Sequence, residues 1–139
     1  MSNQDTRAAL SYHESTKLSY INLENKPPLY KSYQGLPVVR LPGDNLDSDV
    51  PVLDAVASPL ARPESVVDLP GLAELLYLSA GLIRKAQLPV AGEVHYRAAA
   101  SAGALYPVEV YVVCGDITGL EAGVYHFSPA DFSLVRLRQ

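Results

Sequence analysis

Only one cysteine, Cys114, occurs in the 139 residues, which excludes an intramolecular disulfide and fits a reducing compartment, so a cytoplasmic location is expected. Tryptophan is absent and phenylalanine occurs twice, leaving nine tyrosines to supply the aromatic rings. No apolar run approaches the roughly 20 residues that a membrane-spanning helix needs. Met1-Ser2-Asn3-Gln4-Asp5 also lacks the form of a signal peptide. There is no block of lysine or arginine, and the net charge is −4, which argues against nucleic acid as the main partner. His13, His95 and His126 lie in separate segments without ligand spacing, and a lone cysteine cannot supply a zinc cluster, so no metal site is expected. No Rossmann or P-loop glycine fingerprint is present. What remains is 48% hydrophobic and 19% charged, the composition of one globular domain or less.

Asp5 is placed to cap a helix from about Thr6 to Lys17, with the Lys17 charge suiting the far end of the helix dipole. From Asn22 to Val67 seven prolines, from Pro27 to Pro63, break every helical period. Residues 1–67 therefore read as an N-terminal helix and a proline-rich arm that wraps the rest of the chain or a partner subunit. Pro70 and Gly71 open a second helix, with Leu72, Leu75, Leu76, Ser79 and Ile83 on one face and Gly81 near its end. Leu88 to Tyr96 reads as loop. A strand follows from Val108 to about Val113, with Val108, Val110 and Val112 on one face and Glu109, Tyr111 and Val113 on the other. Apolar residues on both faces predict a central strand. Val124 to Phe127 and Phe132 to Leu137 form a hairpin about the turn Ser128-Pro129-Ala130-Asp131. His126 is expected to be a half-exposed packing residue of that hairpin, and Cys114 an inert small hydrophobe.

These elements make an α+β unit, but three strands and one firm helix cannot cover both faces of a sheet. The expectation is a truncated chain, one piece of a split protein, or a chain completed by a partner, with apolar surface left exposed.

The most informative stretch is Arg97-Ala98-Ala99-Ala100-Ser101-Ala102-Gly103-Ala104-Leu105-Tyr106-Pro107, which leads into the alternating strand. After one cation come side chains no larger than a hydroxymethyl group. Such a patch lets a flat ligand lie against the backbone, whose N–H groups become the contact surface. The alternative is a tight junction in which small residues only let elements pack, with Ser101 as a helix cap.

The run Ser101-Ala102-Gly103-Ala104-Leu105-Tyr106-Pro107-Val108-Glu109-Val110-Tyr111 resembles the signature of the SagB-type dehydrogenases, a branch of the FMN-dependent nitroreductase superfamily. Tyr12-His13-Glu14-Ser15-Thr16-Lys17-Leu18-Ser19 is similar to an N-terminal helix motif of that branch, and Gly119 to Pro129 to its later hairpin. The resemblance implies a partial nitroreductase-like domain, with residues 68–139 as the first half of its flavin domain. It also implies FMN bound at a homodimer interface, or one formed with a complementary second half. Arg97 would supply a cation for the charge near N1 and O2 of the reduced ring, and Ser101, Ala102 and Gly103 would supply hydrogen bonds. Arg62 and Ser65 match part of the family's arginine-rich phosphate motif, whose other arginines fall here at Pro63 or Glu64 and at Val67. Neither a carboxylate nor an isopropyl group replaces an Arg–phosphate pair.

The activity implied is oxidation of azoline rings in ribosomal peptides, with a cyclodehydratase complex and a peptide substrate as partners. The family's proton-removing residues lie in the other half of its domain, so no catalytic residue is named here. Two alternatives stay open: a non-catalytic remnant or binding module of a peptide-modifying complex, and a generic nitroreductase using a nicotinamide donor.

Overall fold

The computed structural model describes residues 6–17, 27–44, 46, 51–57, 67–89 and 91–139. In chain order the elements are α1 (Thr6–Ser15), β1 (Val38–Arg40), α2 (Val52–Ala57), α3 (Leu69–Ala80), β2 (Leu82–Leu88), β3 (Gly92–Arg97), a 3₁₀ turn (Ala102–Ala104), β4 (Tyr111–Cys114), β5 (Gly123–Ser128) and β6 (Ser133–Arg138). The fold is α+β, as expected.

The main sheet has the order β1-β6-β5-β4 with every neighbouring pair antiparallel. Residues directly opposite one another share a face. Val39, Leu134 and Phe127 form one such row and Val38, Val135, His126 and Tyr111 the next, on the opposite face. The first face carries the core. Leu134 and Phe127 are buried there with Tyr125, against Leu72, Ala73, Leu76 and Ala80 of α3.

α3 starts where its sequence provides a cap. Asp68 is extended, and its Oδ1 accepts the Gly71 N–H at 2.9 Å, while Pro70 occupies a position whose missing N–H costs nothing. The Leu69 N–H donates to Thr118 O at 3.0 Å and so ties the helix start to the loop before β5. At the other end a Cβ on Gly81 would lie 2.6 Å from Tyr77 O, so only glycine lets the chain leave the helix this closely.

Several expectations need correction. The buried face of α3 is Leu72, Ala73, Leu76 and Ala80, whereas Leu75 is 64% exposed. The face is rotated because small Ala73 and Ala80 let the helix approach the sheet. Ile83 lies outside it: residues 82–88 and 92–97 form an antiparallel hairpin, where Leu88 to Tyr96 was expected to be loop. Its strands are largely exposed or half-buried, and Arg84, Lys85 and Gln87 interrupt the clean alternation that marks a strand in sequence. β4 is the edge of its sheet rather than a central strand, and Val113 is 78% exposed, so its two apolar faces reflect surface left open. His126 is 1% exposed, not half-exposed, because a segment from the proline-rich region crosses its face of the sheet. Asp5 and most of the stretch 45–66 lie outside the described residues.

Pro27 to Pro37 runs across the second face of the sheet. It is fixed at Pro37, whose carbonyl accepts the Arg136 N–H at 2.9 Å, and beyond β1 by the Leu41 N–H bonded to Phe132 O at 3.1 Å. Prolines suit such a crossing strap, having little conformational entropy to lose.

Leu76→Ala is expected to lower unfolding stability by about 2–5 kcal/mol, since it opens a cavity under the sheet. Leu75→Ala, on the exposed side of the same helix, should change it by less than about 0.5 kcal/mol. Denaturant titration of both variants checks the assigned face, and equal losses would refute it.

Candidate functional site

The chain between β3 and β4 makes a strained turn. Ser101 is extended, Gly103 has φ 62°, Leu105 is right-handed, and Ala104 and Tyr106 have φ 52° and 45°. Left-handed geometry is free for glycine but costs roughly 1–3 kcal/mol at residues with a side chain. The strain is held by specific bonds. Ser101 Oγ accepts the Tyr106 N–H at 2.8 Å, and Tyr106 Oη accepts the Arg97 N–H at 2.9 Å. Tyr106 is 8% exposed, so its ring anchors the turn from below.

Arg97 is buried beneath this turn. Its guanidinium carbon lies 4.9 Å from the ring centroids of both Tyr30 and Tyr106, and Nη2 donates to Leu29 O at 2.7 Å. Among the described residues it has no carboxylate partner. One cation therefore joins the β2–β3 hairpin, the small-residue turn and the strap through two aromatic faces and a carbonyl. Tyr30 hydrogen-bonds His95, which also pairs with Glu93. Burial pushes the Tyr30 phenol up, with the Arg97 charge opposing it.

Above the turn is an open cleft of about 560 Å³, a size typical of small-molecule sites. Ser101, Ala102 and Leu105 form one wall, and Pro28 and Tyr30 of the strap the other. Lys31 and Glu109 supply its charges. Behind Glu109, its Oε2 meets His126 Nε2 at 2.8 Å, while His126 Nδ1 has no partner among the described residues. The rings of Tyr33 and Tyr111 flank the imidazole at 5.1 and 5.3 Å. Lys31 Nζ donates to Tyr111 Oη at 2.9 Å, and Tyr33 Oη lies 3.0 Å from the same oxygen. The Lys31 ammonium, bonded to Tyr111 and Tyr33, is held well above its ordinary value. The bonds that Tyr111 makes with Lys31 and with Tyr33 lower its phenol.

The structure brings Ser101 and Ala102 together at the cleft, with exposed Gly103 next in the turn. Ser101 does close a turn, as the capping alternative anticipates, but through the Tyr106 amide. Arg97 stands one layer behind the cleft, beneath Tyr30 and Tyr106. Arg62 and Ser65 lie outside the described residues. Sequence reasoning missed Tyr30, Lys31 and the Glu109–His126 pair. Nothing in local spacing marks them, since Tyr30 and His95 are 65 positions apart and Lys31 and Tyr111 are 80 apart.

No family model matches this sequence. A stretch of 48 residues is 44% identical to a protein of Methanocaldococcus jannaschii that carries a provisional nitroreductase name, covering 34% of this chain and 24% of that protein. Another 38 residues are 55% identical to the trifolitoxin-processing protein TfxB of Rhizobium leguminosarum bv. trifolii, covering 27% of this chain and 10% of that protein. A crystal structure from Anabaena variabilis, also provisionally described as a nitroreductase, superposes with a TM-score of 0.60 at 27% identity over 92% of this chain. This chain spans about a quarter of that relative, 25% of its length. The fold is therefore nitroreductase-like, and the sequence likeness supports the nitroreductase superfamily of oxidoreductases. Among the described residues no helix is long and apolar enough to cross a membrane.

Tyrosine ionisation followed by NMR should find Tyr111 titrating below the ordinary value near 10, and Lys31→Met should move it up. Tyr30 and Tyr125, raised chiefly by burial, should ionise above 10. A phenol raised by folding adds stability that is full below about pH 10 and fades as the pH climbs through the folded value. A Tyr111 titration unaffected by Lys31→Met would refute the contact.

Proposed function

We propose that this chain is the part of an FMN-dependent, SagB-type oxidoreductase that holds one side of the flavin ring, the substrate being an azoline in a ribosomally made peptide. The observation that carries the reading is the cleft itself, whose wall is the Ser101–Ala102 stretch of the signature run. The trifolitoxin-processing name of one relative supports a role in processing another molecule.

The residues present fit a flat aromatic group. Ala102, Leu105 and the Tyr30 ring offer apolar surface on two sides. Ser101 Oγ accepts one bond from the Tyr106 amide and keeps its own proton to donate. The Ala102 and Gly103 amides, at the open start of the 3₁₀ turn, have no partner among the described residues. When bound, FMN supplies the acceptor for the hydride lost as an azoline becomes an azole, a conversion that also releases one proton.

The protein's part is to orient the ring and favour negative charge on it. Arg97 does this without contact: its charge, shielded from water and from carboxylates, projects through the two tyrosines at reduced dielectric screening. The tyrosine sandwich fixes that charge in place. Arg62 and Ser65 take the FMN phosphate in this reading. A second copy or a complementary chain closes the ring's other side, and a cyclodehydratase complex delivers the peptide.

The purified chain, alone or with its completing chain, is expected to quench FMN fluorescence saturably. Ala102→Phe should abolish binding by filling the cleft, and Ser101→Ala should weaken it about two- to tenfold, the worth of one neutral hydrogen bond. Unchanged circular dichroism shows that the variants fold. If neither preparation takes up FMN, or if Ala102→Phe binds it equally well, the reading fails.

A further inference from the structure

A second cleft lies on the other side of Lys31, between the strap and the outer face of the main sheet. Its volume is about 380 Å³, and it is lined by Lys31, Arg40, Ser128, Asp131 and Ser133, with Val38 and Val135 beside them. The sheet register assembles it. Arg40 of β1 is opposite Ser133 of β6, which is opposite Ser128 of β5, so three strands place a guanidinium and two hydroxyls in one row.

The polar groups are unequally satisfied. Ser128 donates to Asp131 Oδ2 at 3.2 Å, so its proton is engaged. Ser133 is only 1% exposed, yet its hydroxyl bonds no described residue. The Arg40 side chain has neither an ion pair nor a hydrogen bond among the described residues. Lys31, whose ammonium bonds Tyr111, also lines this cleft. A guanidinium fork, an ammonium and a free hydroxyl can all donate, and the cleft offers them few acceptors. Two cations against the Asp131 carboxylate leave one net positive charge, which favours an anionic ligand.

We propose that this second cleft binds an oxyanion, a carboxylate or a phosphate monoester, through Arg40, Lys31 and Ser133. Asp131 occupies Ser128 and limits the charge the site accepts. This assignment does not depend on flavin binding in the first cleft. Because Lys31 borders both clefts, an anionic group here can belong to a ligand that reaches toward the first.

The test is a pair of amide NMR titrations of the full chain at constant ionic strength, one with inorganic phosphate and one with acetate. Saturable shifts centred on Arg40, Ser128 and Ser133 are expected from at least one of them. A response to phosphate alone identifies the ester class, and a response to acetate identifies the carboxylate class. Arg40→Gln should weaken binding about tenfold or more, and Ser133→Ala a few-fold. Arg84→Gln, which removes a cation stacked at 4.4 Å on Tyr96, should leave it unchanged. The assignment is overturned if neither anion gives localised shifts, or if Arg84→Gln weakens binding as much as Arg40→Gln does. The flavin reading is unaffected by either result, because FMN quenching is read separately.

Discussion

A buried guanidinium without a carboxylate organises this molecule. Arg97 ends a strand of the smaller sheet, and its charge is balanced by two tyrosine faces and the Leu29 carbonyl. A cation taken out of water needs every one of those partners. The requirement joins three segments distant in sequence. Tyr106 can reach the cation only if the chain after Ser101 turns sharply, which places Gly103, Ala104 and Tyr106 in left-handed geometry. Tyr30 can reach it only if the strap crosses the sheet. The cleft is the space left between these two tyrosine-bearing segments.

Cation–π contacts and a carbonyl are an economical way to hold such a charge. A carboxylate would neutralise Arg97, whereas an aromatic face fixes it while leaving its field largely intact. Lys31 is treated similarly, by two phenols that keep it charged. The two cations lie at different depths around one strap, Arg97 behind the first cleft and Lys31 between the two clefts. Both proposals, ring binding above the turn and an oxyanion below the strap, draw on that arrangement.

Several elements were legible in the residues because their signals are local. Pro70 and Gly71 mark the start of α3 and Gly81 its end, and β5 with β6 surrounds a turn of Ser128, Pro129 and Asp131. The small residues from Ser101 to Ala104 announce a close approach, and a cleft does open beside them. The β2–β3 hairpin was hidden because Arg84, Lys85 and Gln87 break its apolar alternation. The rotation of the α3 face was also hidden, since Leu75 and Leu76 satisfy a helical period equally well. Only the sheet's proximity to Ala73 and Ala80 separates them.

The sequence by itself determined where the chain must turn, which stretch is small enough to face a ligand, and that the class is α+β. Those properties follow from φ preferences, side-chain volume and periodicity, which act over a few residues. Tertiary structure alone decided that Arg97 is sheathed rather than solvated, that Glu109 meets His126, and that Arg40 aligns with Ser133 and Ser128. Each of these depends on strand register and on the path of the strap, and contacts between segments 17 to 80 residues apart leave no periodic trace in the chain.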